Sequence, residues 1–175
     1  MPNTYTLISS NQLTTNTASV TFSAIPATYT DLLLKISARA SGSGTLAALA
    51  IKFNGSTTSI YSNTALFAYS TAATSSRNSN AVSIPAIDNI EDGGGTANSF
   101  SSNELYIPSY TVSQNKPTSL FSVVENNTVN NFEWLVYGGA GLYRDTAAIS
   151  SIALTTSAGD FVSGSSFYLY GIKNS

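Results

Sequence analysis

Apolar residues at every second position constrain the fold of this chain more than any other feature. In the segment 32–38 every second residue is apolar, and the intervening face carries Lys35 and Ser37 and continues to Arg39. A period of two places successive side chains on opposite faces of a half-buried β-strand. The same period predicts further strands around Tyr5 and Leu7, Val20 and Phe22, Leu49, Ile51 and Phe53, Phe132, Trp134 and Val136, Ile152 and Leu154, and Phe167 and Leu169.

Turn-forming residues separate these runs and favour an antiparallel arrangement. Asn54-Gly55 predicts a hairpin with a type I′ turn, because both residues tolerate the positive φ that this turn requires. The segment 45–50 is interpreted as a loop that leads into a strand, and the segments 70–80 and 89–102, which lack periodicity, as long loops at one end of the sandwich. About ten short strands result. The predicted fold class is therefore all-β, an antiparallel β-sandwich that is jelly-roll-like and has long end loops.

Size and composition indicate one neutral domain. The length of 175 residues fits a single β-sandwich domain over residues 1–175, because one core can bury most of a chain of this size. Only 9% of the residues are charged, against about 25% in typical domains. The surface is therefore expected to be neutral and hydroxylic, which suits a protein packed into an assembly. So few charges leave sheet edges poorly protected, so a homo-oligomer that covers the edges is expected.

Several functions are disfavoured by what the sequence lacks. The seven basic residues are scattered without a run, which argues against a nucleic-acid partner. No stretch approaches the roughly 20 apolar residues of a membrane span, and no signal peptide is predicted. Without histidine or cysteine, the common nucleophile triads and the imidazole or thiolate metal sites cannot form. The chain is therefore predicted not to be an enzyme, and no catalytic residue, metal ligand or cofactor is assigned.

One pair of carboxylates leaves a glycosidase open as an alternative. Glu125 and Glu133 flank an asparagine-rich turn close to Trp134. Facing each other across a hairpin, they could hold a sugar between an acid and a base. The favoured interpretation is that both are solvated strand residues beside a core tryptophan, since such carboxylate pairs are common without function.

One acidic cluster leaves a calcium site open as an alternative. Asp88, Glu91 and Asp92 lie close together in the chain and run into the glycines 93–95. Crowded carboxylates on a flexible segment suit a hard cation, but this spacing matches no established calcium loop. A solvated loop is the favoured interpretation.

Aromatic residues raise a carbohydrate-binding alternative. One group falls on the apolar face of its strands: Phe22, Phe53, Trp134 and Phe167. A second group lies at strand ends or out of phase and is the better candidate for exposure: Tyr61, Tyr110, Tyr137 and Tyr143. For these tyrosines, contact with a neighbouring subunit is favoured, ahead of edge packing and of sugar binding.

Four segments resemble a known family: 4–13 (TYTLISSNQL), 19–40 (SVTFSAIPATYTDLLLKISARA), 51–62 (IKFNGSTTSIYS) and 165–175 (SSFYLYGIKNS). They are similar to small β-sandwich virion proteins of tailed bacteriophages, over about a third of the chain. No catalytic or ligand-binding residue belongs to these motifs, so none is transferred. The resemblance implies a structural protein of the virion, made in the host cytoplasm, with a homotrimer as the favoured oligomer.

Two virion roles follow from this resemblance. The first strand is expected within about five residues of the start, which leaves no room for a fibre shaft. A decoration (cement) protein on the capsid exterior is therefore favoured, with the major capsid protein of the same phage as its partner and one end of the sandwich as its seat. The alternative is a tail fibre or spike, or a carbohydrate-binding module whose end loops recognise a host-surface glycan.

Overall fold

The computed structural model describes residues 4–69, 72–84, 88–125 and 134–173. Within these residues the chain forms twelve strands and no helix, so no helix there could span a membrane. The strands are β1 (Tyr5–Gln12), β2 (Ser19–Phe22), β3 (Asp31–Ala38), β4 (Leu46–Phe53), β5 (Tyr61–Tyr69), β6 (Ala72–Ala81), β7 (Asp88–Glu91), β8 (Ser101–Ile107), β9 (Lys116–Val124), β10 (Leu135–Tyr143), β11 (Ile152–Thr156) and β12 (Ser166–Ile172).

Two antiparallel sheets contain these strands. The larger sheet has the order β1-β12-β3-β8-β9-β10-β5-β6, and the smaller sheet has the order β2-β11-β4-β7. The chain changes sheet at every step except from β5 to β6, from β8 to β9 and from β9 to β10. This alternation makes β1-β12-β3-β8 and β2-β11-β4-β7 the two halves of a jelly roll. The prediction of an all-β antiparallel sandwich is confirmed, and β9, β10, β5 and β6 widen one of its sheets.

Both sheets contribute alternate residues to one hydrophobic core. Phe22, Phe53 and Phe167 are buried in it, as their strand phase predicts. Phe167 packs edge to face against Phe161, with ring centroids 5.1 Å apart. Burial of these faces supplies the main driving force for folding, because apolar area removed from water contributes about 25 cal/mol per Å².

The Asn54-Gly55 turn forms as predicted, but it does not close a hairpin. Both residues have positive φ, 52° and 65°, and the Ser56 N–H donates to the Phe53 carbonyl over 3.0 Å. β4 pairs with β11 and β7, whereas β5 pairs with β10 and β6. The Asn54 side chain binds the segment before β11, where its Oδ1 accepts the Ser150 N–H over 2.8 Å. The turn therefore connects a strand of one sheet to a strand of the other. Local φ preferences determine the bend but not the partners of the flanking strands.

The long-loop predictions are partly wrong. Most of 70–80 belongs to β6, a strand whose residues 72–80 are all exposed, so no alternation of burial marks it. Residues 89–91 complete β7 and residue 101 begins β8, which leaves 92–100 as the loop. The segment 45–50 lies almost wholly in β4, since that strand begins at Leu46. In these segments backbone pairing with a neighbouring strand overrides a weak local signal.

The predicted phase around Trp134 is wrong. Trp134 precedes β10 and is half-buried, and Val136 is exposed, whereas Leu135 and Tyr137 are buried. Phe132 lies outside the described residues. Four consecutive apolar residues occupy 134–137, so alternation is consistent with either phase and only the opposite sheet selects one.

Replacing Phe22 with alanine is expected to lower the free energy of unfolding by about 3–5 kcal/mol, because the cavity in the core cannot fully collapse. Val136→Ala, on an exposed side chain of β10, should change it by no more than about 0.5 kcal/mol. Urea unfolding followed by tryptophan fluorescence measures both. Equal effects of the two substitutions would contradict the placement of Phe22 in the core.

Candidate interaction surfaces

The four tyrosines that the sequence offers as exposed contacts are all buried. Tyr61, Tyr110, Tyr137 and Tyr143 are at most 1% exposed. The Tyr61 and Tyr143 rings stack with centroids 4.9 Å apart, and the Tyr143 ring meets Phe53 edge-on at 5.4 Å. These side chains belong to the core, so they neither stack on a sugar nor meet a neighbouring subunit.

The hydroxyl groups of these tyrosines bind groups within the same chain. Tyr61 Oη accepts the Phe53 N–H over 2.8 Å, and Tyr143 Oη donates to Asp145 over 3.1 Å. Tyr110 Oη donates to the Pro26 carbonyl. Burial is the main cause that raises the pKa of each of the four phenols. Satisfied hydroxyl groups explain how a β-sandwich can hold four tyrosines in its interior.

Two members of the acidic cluster are buried and do not lie in a solvated loop. Glu91 and Asp92 are at most 1% exposed. The Asp92 carboxylate accepts the Gly44 N–H over 3.1 Å and the Gly93 N–H over 2.7 Å. No group of three or more candidate metal ligands lies among the described residues, and the side chain of Asp88 is outside them. Glu91 and Asp92 thus act as partners for other protein groups.

Arg39 is the partner of Glu91, and the sequence does not reveal it. Its guanidinium lies 3.6 Å from the Glu91 carboxylate. It also donates to four carbonyls of the loop 92–100: Gly93 (3.3 Å), Gly95 (3.1 Å), Thr96 (2.5 Å) and Ser99 (3.0 Å). Strand alternation predicts that Arg39 shares the polar face of β3 with Lys35 and Ser37. In fact β3 ends at Ala38, and Arg39 turns inward to hold the loop.

A depression of about 360 Å³ lies beside this loop, with Asn16, Ser41, Asn98 and Phe100 in its wall. Arg39 also borders it, but its N–H groups are directed to the loop carbonyls. The arrangement serves the loop's conformation and gives no sign of a catalytic constellation.

Glu125, at the end of β9, is exposed. Its proposed glycosidase partner, Glu133, lies outside the described residues, so that alternative stays open.

The most exposed apolar side chains lie on the outer face of the larger sheet. Leu66 is 64% exposed, Phe121 52% and Val136 54%. Register places Phe121, Gly138 and Leu66 side by side on β9, β10 and β5. The next outward row holds Val123, Val136 and Ala68. We call these six residues the outer apolar patch.

Gly138 makes a gap in the middle of the outer apolar patch. A Cβ atom added there would meet nothing within 4 Å, so the patch has a depression between Phe121 and Leu66. Beyond Phe121 the same row continues to Glu104 and Lys35, which form an exposed ion pair. The two opposite charges cancel at this end of the row.

A second apolar area lies on the same face, on the other side of this ion pair. Tyr5 and Leu7 of β1 are 56% and 49% exposed. Tyr5, Leu33 and Tyr170 line a depression of about 320 Å³ together with the ion pair. The apolar residues at 5, 7, 66, 121 and 136 are visible in the sequence, but without the strand phase they cannot be distinguished from core residues.

The face is large enough for a stable interface. Each outward residue of a sheet covers about 4.8 Å by 6.8 Å. Four outward residues on each of the eight strands give on the order of 1,000 Å². A standard protein interface takes about 800 Å² from each partner. The outer face therefore has the area and the apolar content of a docking surface.

The larger sheet also has two long edge strands. Residues 72–80 of β6 are all exposed, as are seven of the eight residues of β1. The edge strands of the smaller sheet, β2 and β7, have only four residues each. Short strands protect an edge, whereas a long uncharged edge is open to pairing.

Comparison with known proteins gives no further assignment, since no family model matches this chain and no curated protein is significantly similar to it.

Proposed function

We propose that this protein is a non-enzymatic structural component of a bacteriophage virion, a decoration (cement) protein that binds the exterior of the assembled capsid. The outer apolar patch carries the proposal, because a large neutral apolar area on a protein with 9% charged residues suits a place in an assembly. The four segments that resemble phage virion proteins support the same class. The major capsid protein of the same phage is the proposed partner.

The proposed seat is the outer face of the larger sheet. The long end loops predicted from the sequence favour one end of the sandwich as the seat. Leu66, Phe121 and Val136 are each more than half exposed, however, and they lie on strands β5, β9 and β10 of this face. Phe121 and Leu66 protrude from this face, and Gly138 leaves a gap between them. Such a surface can interlock with ridges of a capsid surface. Burial of these side chains would supply the affinity.

The proposed mechanism is stabilisation by mass action. A protein that binds neighbouring subunits of a closed shell, and not the loose subunits, shifts the equilibrium toward the shell. No bond is made or broken, and a rigid sandwich with one broad docking face is sufficient. A neutral face needs no counter-charge on the capsid, so binding should depend little on salt.

Shell binding can be tested with empty capsids of the parent phage and the purified chain. Phe121→Ser and Leu66→Ser are each expected to weaken binding at least tenfold, because burying such a side chain contributes about 1.5–3 kcal/mol and each 1.4 kcal/mol is tenfold. Val112→Ser is the matched control, since Val112 is 50% exposed away from the patch. Co-sedimentation gives the affinities.

Cryo-EM of the same mixtures locates the chain on the shell. Density at symmetric positions on the capsid exterior, contacted through β5, β9 and β10, is the expected result. Density restricted to the tail, absence of the chain from the shell, or equal affinity of all variants would contradict the proposal.

A host-surface glycan is the second candidate partner. The depression between Tyr5, Leu33 and Tyr170, beside Lys35 and Glu104, combines an aromatic wall with charged hydrogen-bonding groups, as sugar sites do. Binding on a glycan array that is lost in Tyr5→Ala, with shell binding absent, would favour a tail or carbohydrate-binding role.

A further inference from the structure

The edge formed by β6 has an unusual combination of length and exposure. It spans ten residues, Ala72–Ala81, and only its last residue is buried. Among the residues that the structure describes, β6 pairs with β5 alone, so its other side presents unpaired backbone N–H and C=O groups. Such a row is a template for one more strand.

The usual protections of an edge are weak in β6. It contains no proline and no lysine, and its one charged residue is Arg77. Its register against β5 is regular from Ala72 to Asn78 and shifts only beyond Asn78. The opposite edge, β1, is interrupted in its middle by a bulge between Leu7 and Ser9. A bulge twists a strand away from a new neighbour, so β6 is the better edge for pairing.

A second copy of β6 fits this edge by its own symmetry. When the regular stretch Ala72–Asn78 pairs antiparallel with itself, Ser75 is the centre and lies opposite the second copy's Ser75. Thr74 then lies opposite Ser76 of the other copy, and hydroxyl pairs of this kind stabilise neighbouring strands. Every residue of the regular stretch gains a partner.

The charges are compatible with this register. Arg77 lies opposite Ala73, so the two arginines of the dimer are four residues apart along the strand direction, roughly 14 Å. Their repulsion is largely screened, because the Debye length is about 8 Å at physiological salt. Apart from Arg77 and the two asparagines, the side chains of β6 are small, so little bulk keeps two copies apart.

We propose that β6 pairs antiparallel with β6 of a second copy of this chain, centred on Ser75, so that the two larger sheets continue across a two-fold axis. The pairing is isologous and ends at two copies. It replaces the homotrimer expected from the resemblance as the basic unit. It needs no capsid, so it is tested on the purified chain, and its outcome is independent of the test of shell binding.

Cysteine cross-linking tests the register directly, because the natural chain has no cysteine. Residues directly opposite in an antiparallel pair have Cα atoms about 4.5–5.5 Å apart, within the range of about 4.4–6.8 Å that a disulfide spans. Ser75→Cys is expected to form a covalent dimer under mild oxidation at micromolar concentration. Ser9→Cys, on the exposed edge strand β1, should stay monomeric in the same assay. Equal yields from the two variants, or a dimer only from Ser9→Cys, would overturn the proposal.

The mass of the chain in solution tests the pairing without a cross-link. Sedimentation equilibrium of the natural chain should show a monomer–dimer equilibrium. Ser75→Lys should weaken it at least tenfold, since two like charges face each other at the centre of the pair. Ser9→Lys on β1 and Ser163→Lys on an exposed loop should leave it unchanged. Circular dichroism and the melting temperature confirm that each variant is folded. A monomer at all concentrations, a trimer, or a dimer insensitive to Ser75→Lys would show that β6 is not the interface.

Discussion

Replacing Arg39 with alanine is expected to lower the free energy of unfolding by about 3–5 kcal/mol. The substitution removes the cation from a buried pair in which Arg39 is 7% exposed and Glu91 is fully buried. A carboxylate left without its counter-charge in the interior is far more costly than the pair itself is favourable. The expected loss is large compared with the total stability of about 5–15 kcal/mol of a typical domain.

The loop 92–100 should lose its order in the same variant. Four of its carbonyls accept N–H groups of Arg39, and alanine offers no replacement. Arg39→Lys retains the charge but not the planar fork of donors, so we expect an intermediate loss. Urea unfolding measures the stability, and hydrogen exchange over residues 92–100 measures the loop.

Lys35→Ala is the matched control for Arg39→Ala. It breaks the other ion pair among the described residues, Lys35–Glu104, in which the side chains are 50% and 43% exposed. Exposed pairs contribute about 0–1 kcal/mol, so this variant should be close to the natural chain. A loss of less than about 1 kcal/mol in Arg39→Ala would mean that water replaces the guanidinium at the loop.

Above pH 10 the protein is expected to lose stability steeply. Burial raises the pKa of Tyr61, Tyr110, Tyr137 and Tyr143 above the ordinary value of 10.0. Between pH 10 and the folded-state pKa, the unfolded chain releases these protons while the folded chain retains them. Folding therefore binds protons in this range, and stability falls as the pH rises. The stability that these four phenols contribute is fully present below pH 10.

The slope follows from the number of buried phenols. Each contributes up to about 1.4 kcal/mol per pH unit, so four give on the order of 5 kcal/mol per pH unit. Lys116 acts in the opposite direction, because burial lowers its pKa and its charged form is less favoured in the folded state. One lysine against four tyrosines leaves the net effect a loss.

Urea unfolding at a series of pH values from 8 upward measures this loss, with tyrosinate absorbance to report ionisation. Tyr143→Phe should make the slope of the free energy of unfolding against pH shallower by about one proton. The substitution removes a phenol whose pKa is raised by burial and by Asp145. Ionisation of all tyrosines near pH 10 without unfolding would show that the four phenols reach solvent.

The residue pattern predicts the class of the fold well but places individual side chains less well. Where apolar and polar residues alternate strictly, as at Leu34 and Lys35, both the strand and its buried face are confirmed. Where consecutive residues are all apolar, as at 134–137, the predicted phase of the strand is wrong. In β6, where residues 72–80 are all exposed, the strand itself is missed.

The candidate surfaces could not be predicted for the same reason. Leu66, Phe121 and Val136 are apolar residues within strands, and nothing local distinguishes a core position from an exposed one. Exposure depends on which face of the larger sheet packs against the smaller sheet, and that packing involves strands distant in the chain. Arg39 is similar, because its partners come from residues 91–99.

By itself the sequence determined that this chain is all-β and sparsely charged, and that it lacks the histidine and cysteine of common catalytic sites. Those properties follow from composition and from the alternation of apolar and polar residues, both of which are local properties of the sequence. Only the tertiary structure decided that four tyrosines are core, that Arg39 and Glu91 are buried together, and that β6 is an edge. These depend on which sheet lies opposite each face, and that is a property of non-local pairing.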